Sequence, residues 1–325
     1  MKKILTLCLS AGIQKTIEFS KICLDKVNRS LNYRFDIAGK AVNSARVLAQ
    51  LAEKFENHLS EDEIKQNITL ICPLGEKNLN FWEELSRKEK FTQKTILIPG
   101  FTRECCTLIE RESGRVTELA VEVPKIQDGN QKDKTQELLS LLECELAKKS
   151  PNKPDALLVA GSVPNYWDTN IMGEIAKIAK NNDVLLMADF KGKTLSNLIP
   201  AFIPNIIKIN KEKFLETFYP EIFGQENLKC DIIKLQELIC QQSQNLENII
   251  IVTDGANDTI LSNKGKCFIG KTEKISVKNT IGCGDSFNAG FLYEFLKSQN
   301  LEKALKMGTF AASRNAESLA PGSIL

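Results

Sequence analysis

Histidine is all but absent from this chain of 325 residues: His58 is the single one, within the polar stretch Glu56-Asn57-His58-Leu59-Ser60. A histidine-rich metal centre is thereby excluded, and the loop-like setting argues against His58 as a catalytic base. Charge of one sign is also lacking, because 43 Lys and Arg stand against 41 Asp and Glu, a net +2. Such a balance gives no electrostatic footprint for nucleic acid, whose non-specific binding needs clustered cations that displace counterions. No apolar run approaches the roughly 20 residues of a membrane span, so no membrane partner is expected. The opening Met1-Lys2-Lys3-Ile4-Leu5-Thr6-Leu7-Cys8-Leu9-Ser10 has a basic start, but its apolar run is short and lacks a clear cleavage site. It reads as a first β-strand, not a signal peptide.

Cysteine is plentiful by contrast, with ten residues, yet they are scattered and none forms a C-x-x-C. A chain this long buries a large core without disulfide staples, so reduced thiols in a cytoplasmic protein are expected. The length allows one large domain or two modest ones.

Apolar periodicity alternates along the chain. Residues 3–9 read as a buried strand, Lys40–Ala52 as a helix with apolar positions 41, 45, 48 and 52, and Ile68–Cys72 as a strand. Phe81–Lys88 and Leu138–Leu146 read as helices, Ala156–Ala160 as a strand, and Ile171, Ile175 and Ile178 mark a further helix. Strands follow at Val184–Ala188, Ile206–Ile209 and Ile249–Val252, with a helix around Ile232–Ile239. Alternating strands and helices predict a mostly parallel sheet covered on both faces. Two stretches break the rhythm. Residues 94–123 carry a β-hairpin pattern with a turn at Glu112-Ser113-Gly114, and residues 15–37 are helix-poor. The economical reading is a single domain over residues 1–325 whose α/β core carries a small β-lid built from these two excursions. Asp128–Lys134 reads as a charged loop.

In a parallel α/β sheet the ligand lies beyond the carboxyl ends of the strands. The residues there are Gly161-Ser162, Asp189, Asn210 and Thr253-Asp254-Gly255. The sharpest signal is Asn279-Thr280-Ile281-Gly282-Cys283-Gly284-Asp285-Ser286-Phe287, followed by an amphipathic run with Phe287, Phe291 and Phe295 on one face. A Gly-x-Gly turn entering a helix presents backbone N–H groups at the positive end of the helix dipole, an anion site suited to phosphate. Asp285 falls in the first turn, where it is either a helix cap or a general base beside the phosphate.

This segment resembles the nucleotide-side signature D/N-T-x-G-A-G-D of the pfkB/ribokinase family of carbohydrate kinases. Asp36-Ile37-Ala38-Gly39-Lys40-Ala41-Val42-Asn43-Ser44-Ala45-Arg46 is similar to the family's G-G-K-G-x-N-x-A-R. Thr102-Arg103, Gly161-Ser162-Val163-Pro164, Ile207-Lys208-Ile209-Asn210 and Asp254-Gly255-Ala256 follow in the family's order. The spelling is closest to the 1-phosphofructokinase and tagatose-6-phosphate kinase branch. The resemblance implies a ribokinase-like three-layer α/β/α fold and phosphoryl transfer from ATP to a hydroxyl of a phosphorylated sugar. Asp285 would be the base, and the amides of Gly282, Cys283 and Gly284 would form the anion hole. Mg²⁺ would bridge the nucleotide phosphates largely through water, with no residue assigned to it. Lys40, Arg103 and Arg29 would meet the substrate's own phosphate, while Gly39, Asn43 and Ser162 would contact the sugar. Lys208, Asn210, Thr253, Asp254 and Gly255 would line the nucleotide side, and Asn315 the adenine pocket. A homodimer through the lid also follows from the resemblance.

Four positions depart from the pattern. Gln14, in Ser10-Ala11-Gly12-Ile13-Gln14-Lys15-Thr16, stands where the branch has an Asp that grips sugar hydroxyls, so a weaker or different sugar contact is expected. Ala38 and Ala41 replace two glycines, and Lys213 replaces the acidic residue of an N-x-x-E stretch that influences the metal. A kinase of another sugar, polyol or nucleoside therefore stays open, as does a non-catalytic relative that binds nucleotide or sugar phosphate. Gly265-Lys266-Cys267-Phe268-Ile269-Gly270-Lys271-Thr272 spells a P-loop literally. Its interior is strand-like and Glu273–Val277 is β-like too, which is the wrong context for a loop between strand and helix.

Overall fold

A computed structural model describes residues 1–121, 130–223 and 232–324. The larger of two sheets has nine strands. In its interior lies β1 (Ile4–Leu7), wholly buried and paired in parallel with β4 (Ile68–Gly75) on one side and β8 (Ala156–Ala160) on the other. From β4 the sheet continues to β5 (Thr92–Ile98). From β8 it continues in parallel through β9 (Leu185–Asp189), β10 (Ile206–Asn210) and β11 (Ile249–Thr253). It ends in the antiparallel strands β12 (Thr259–Asn263) and β13 (Lys266–Gly270). The chain leaves β1 toward one edge and returns to β8 on the other side, so strand order reverses at β1, the place where such sheets open a crevice for ligand.

Alternate residues of each buried strand face opposite layers. On one side Ile4, Leu70 and Leu158 pack with α1 (Lys40–Phe55), α9 (Cys283–Ser298) and α10 (Leu301–Ala316). On the other, Leu5, Ile71 and Leu157 pack with α4 (Asn130–Leu146), α5 (Ile171–Asn181), α6 (Gly192–Leu198), α7 (Lys211–Phe218) and α8 (Ile232–Leu246). The expected three layers are present, and the Phe287, Phe291 and Phe295 rings stack along α9 at 6.2 and 5.7 Å between centroids. Two shorter helices, α2 (Glu61–Asn67) and α3 (Leu79–Ser86), flank β4, and a Ser60–Glu63 capping box starts the first.

A separate four-stranded sheet, in the order β3-β2-β6-β7, joins β2 (Gly12–Phe19), β3 (Asn32–Ala38), β6 (Arg103–Glu110) and β7 (Val116–Ala120). The excursions are expected at about 15–37 and 94–123; β2 and β3 together span residues 12–38, and one expected segment lies elsewhere. Ile96–Ile98 is the end of β5 and pairs in parallel with β4 in the large sheet, because its inward Ile96 and Ile98 belong to the main core. Residues 122–129, the end of the expected hairpin and the start of the expected loop at 128–134, lie outside the described residues; α4 already runs from Asn130. The P-loop look-alike is a hairpin: Lys266–Gly270 is β13 and no helix follows it, while Glu273–Val277 forms no strand. The nine cysteines described are free thiols.

Candidate active site

The site lies where α1 and α9 point their first turns over the carboxyl ends of β8, β9 and β10. Gly282 caps α9 with φ +84°, a backbone state that side chains resist, and an added Cβ would sit 2.9 Å from the Gly322 amide nitrogen. Asn315 fixes this turn from below: it is fully buried, donates to Ile281 O at 2.8 Å, and accepts from Ser286 Oγ at 3.1 Å and Gly322 N at 2.6 Å. Its side chain therefore anchors the glycine turn from within the core. The N–H of Cys283 turns back on Thr280 O at 3.3 Å. The N–H groups of Gly284 and Asp285 have no intrahelical acceptor and no other partner among the described residues, which leaves them for an anion. A Cβ on Gly284 would come within 2.7 Å of Lys208 Nζ, so this glycine keeps room for the lysine beneath the helix.

Asp285 is buried in the first turn of α9. Asn43 Nδ2 of α1 donates to its Oδ2 at 2.8 Å, and Ser44 Oγ donates to its backbone carbonyl at 2.9 Å. Burial raises the Asp285 carboxyl above its ordinary value; Lys40 opposes, Asp189 adds to the rise, and the Asn43 bond opposes. Behind it, Asp189 at the end of β9 receives Lys40 Nζ at 3.3 Å, Lys208 Nζ at 3.2 Å and Asn288 Nδ2 at 2.7 Å. Burial alone would raise the Asp189 carboxyl, but Lys208 and then Lys40 outweigh it and hold the group well below the usual carboxylate range. Burial would lower Lys40, and the two aspartates outweigh it and raise it. Lys213 enters the same cluster from α7, where burial and then Lys40 pull its ammonium down to about 8 against the attraction of Asp189.

The remaining expected residues spread around this centre. Gly39 starts α1 with φ +135°, close under Cys8. Arg103, at the start of β6, donates to Ser10 O at 3.2 Å while its buried Nε has no partner. Gln14 on β2 is buried and donates to Thr107 Oγ1 at 2.8 Å, so its amide is already held within the small sheet. Ser162 is exposed just after β8, and Arg29 is exposed in the connection between β2 and β3 with no contact to the cluster. On the far side Asn210 caps α7 by accepting from Lys213 N at 2.9 Å, Thr253 ends β11, and Asp254 pairs with Lys211 at 3.3 Å beside the turn at Gly255. Lys208 is buried beneath α9, donating to Gly284 O at 3.2 Å. Asp189 is expected only as an acidic residue beyond a strand end, with no role assigned, and no sequence signal points to Asn288.

The first-turn amides of α9 and the lysines beside them present the positive groups that an anion requires. Among the described residues no three His, Cys, Asp or Glu side chains cluster. Both Asp189 oxygens receive lysine or asparagine donors, while the Asp285 carboxylate receives Asn43 at Oδ2 alone.

The model of the pfkB family carbohydrate kinases matches residues 6–323. The chain belongs to that family. It is thus an ATP-dependent carbohydrate kinase with the ribokinase-like core described above. It is 25% identical over 314 residues to a tagatose-6-phosphate kinase of Staphylococcus epidermidis, covering 96% of this chain and 92% of the relative. It is 26% identical over 318 residues to a 1-phosphofructokinase of Borreliella burgdorferi, covering 96% and 91%. The fold superposes on phosphofructokinase-2 from Escherichia coli in complex with fructose-6-phosphate with a TM-score of 0.79 and 18% identity, covering 99% of this chain and 96% of that one.

Proposed function

We propose that this kinase transfers the γ-phosphoryl group of ATP to a hydroxyl of a small phosphorylated sugar, with Asp285 as general base. The observation that carries the reading is the Asp285 carboxylate, held by Asn43 in the same helical turn whose free amides await an anion. The sugar hydroxyl gives its proton to Asp285 as its oxygen bonds to the γ-phosphorus, and the bond from that phosphorus to the ADP oxygen breaks. The amides of Gly284 and Asp285 hold the charge on the transferring group. Arg103 supports a phosphorylated acceptor, because its buried Nε lacks a partner that a phosphate oxygen would supply. Lys40 and Arg29 complete the proposed acceptor-phosphate set, with Gly39, Asn43 and Ser162 toward the sugar and Asn210, Thr253, Asp254 and Gly255 toward the nucleotide. A Mg²⁺ arriving with ATP would be held by phosphate oxygens and water. The lid sheet supports a homodimer, since Tyr33 and Leu119 on it are exposed apolar side chains, and the absence of any helix long and apolar enough to cross a membrane among the described residues accords with a cytoplasmic setting.

Gln14 favours a second reading, in which the acceptor is another sugar, a polyol or a nucleoside, because its neutral amide is engaged by Thr107. ADP release from ATP, measured across fructose 1-phosphate, fructose 6-phosphate, tagatose 6-phosphate, unphosphorylated sugars and nucleosides, separates the two. Turnover confined to phosphorylated ketoses and lost in Asp285→Asn is the expected result. ATP binding without turnover on any acceptor would point to a binding-only relative.

A further inference from the structure

After α10 the chain runs as an irregular strap, residues 318–324, between α1 and the glycine turn of α9. On the α9 side, Leu319 O accepts from Asn279 Nδ2 at 3.0 Å, and the Gly322 N–H donates to Asn315 Oδ1 at 2.6 Å. On the α1 side, Pro321 O accepts from Arg46 Nη1 at 3.0 Å and Gly322 O from Gln50 Nε2 at 3.2 Å, while the Ile324 N–H donates to Gln50 Oε1 at 2.7 Å. Arg46 Nη1 also donates to Asn43 Oδ1 at 3.2 Å, so the strap and the Asn43 amide share one guanidinium nitrogen.

The closest approach is at Gly322, which is buried and has φ +70°. A Cβ added to it would lie 3.0 Å from Asn43 Cα and 3.1 Å from Asn43 Cβ, and a Cβ on Gly282 would lie 2.9 Å from its nitrogen. Gly322 therefore faces α1 with its α-carbon and the turn before α9 with its nitrogen, and the lack of a side chain sets how closely the two approach. Asn43 is the residue whose amide holds the Asp285 carboxylate at 2.8 Å. We propose that Gly322 is a positioning residue, the spacer that seats Asn43 against Asp285 while Asn315 ties the same residue to the glycine turn. This rests on the reading of Asp285 as the base. The charged groups that face Asp285 are Lys40 from α1, Asp189 from β9 and Lys208 from β10, with the Cys283 thiol on its own helix. None of them belongs to the strap, whose route to the carboxylate runs through Asn43.

The pH dependence of kcat tests this in the whole protein, with ATP and whichever sugar phosphate, sugar or nucleoside wild type turns over fastest. The variants are Gly322→Ala, Asn43→Ala, the two combined, Gln50→Leu, and Asp285→Asn as control. An added methyl at Gly322 displaces Asn43 from the carboxylate and so favours its protonated form. Gly322→Ala should move the acid limb to higher pH by about half a pH unit or more, so that kcat falls about threefold or more below the limb and less above it. In the Asn43→Ala background the same change should leave the limb where Asn43→Ala alone puts it, which a general loosening of the fold would not do. Gln50→Leu frees the strap without a clash and should act in the same direction by less. A limb that stays at its wild-type position in Gly322→Ala, or a shift of equal size without Asn43, overturns the assignment. Should Gly322→Ala not fold, the same two results in Gln50→Leu overturn it. Turnover retained in Asp285→Asn, or wild type that turns over no acceptor, overturns the reading of the base itself, and with it the role of Gly322.

Discussion

Asn43 and Asp285 lie 242 positions apart in the chain and meet at 2.8 Å, the asparagine amide donating to the carboxylate. The other end of the same amide is fixed as well, since Asn43 Oδ1 accepts from Arg46 Nη1 at 3.2 Å, and Arg46 is in turn gripped by Glu89 at 2.7 Å. The amide can thus present only its donor to Asp285. Such a bond favours the charged carboxylate, against the burial that raises it. Asn43→Ala should therefore raise the Asp285 carboxyl further and move the acid limb of the pH–rate profile to higher pH, with a larger loss of activity at acidic than at alkaline pH. Arg46→Lys keeps a charge opposite Glu89 but not the fork, and should move the limb in the same direction by less. Equal losses at all pH values would show that the chain of bonds does not act on the Asp285 carboxyl.

Asp189 is the anchor for two lysines, one of them buried with it. Asp189→Asn would leave Lys208 without its carboxylate in the core, a change that costs about 3–5 kcal/mol when one partner of a buried pair is removed. The sign with pH follows from the lowered carboxyl. A carboxylate held below its ordinary value adds stability above that value, and the contribution is lost as pH falls through its folded-state value. Denaturant unfolding should show wild type well ahead of the variant at pH 7 and the gap narrowing only in strong acid. A constant gap down to the acid transition would contradict the ion-pair account.

How far these relationships were legible depends on whether they are local. Gly282, Gly284 and Asp285 adjoin in the chain, so a single turn spells out an anion site and an acid beside it. The central strands were legible because Ile4–Leu7 and Ala156–Ala160 are apolar throughout, as strands covered on both faces must be. Asp189 was visible only as an acid after a strand; its meaning comes from Lys40, 149 positions away, and from Asn288, 99 away. The hold of Asn315 on the glycine turn was not legible, because a polar side chain on a helix gives no sign of pointing inward. Ile96 and Ile98 alternate as in any half-buried strand, and alternation does not say which sheet the strand joins. α7 escaped because eight residues give too short a period, although Asn210 caps it.

Gly282→Ala would place a side chain at φ +84° and against the Gly322 backbone. Backbone strain of this kind costs about 1–3 kcal/mol, and the contact atom is a main-chain nitrogen that Asn315 also holds. A fall of several degrees in thermal midpoint is expected, together with weaker ATP binding as the first turn of α9 is displaced. A variant that melts with wild type would mean that the turn relaxes freely, and that its conformation is not what shapes the anion site.

Lys271 completes the P-loop spelling but not its geometry. It follows β13, the outermost strand of an antiparallel pair, and its exposed ammonium bonds Asp258 in the adjoining turn. A phosphate-binding lysine needs a loop that hands the chain from strand to helix, so that backbone amides surround the anion. None is formed here, since residues 271–277 run in irregular structure toward the distant turn at Gly282. Exposed pairs contribute little to stability. Lys271→Ala should accordingly match wild type in ATP affinity and turnover within about twofold and change stability by less than about 1 kcal/mol. Loss of nucleotide binding in a folded Lys271→Ala protein would move the phosphate site from α9 to this edge hairpin, and would remove the support that the first turn of α9 gives to Asp285 as the base.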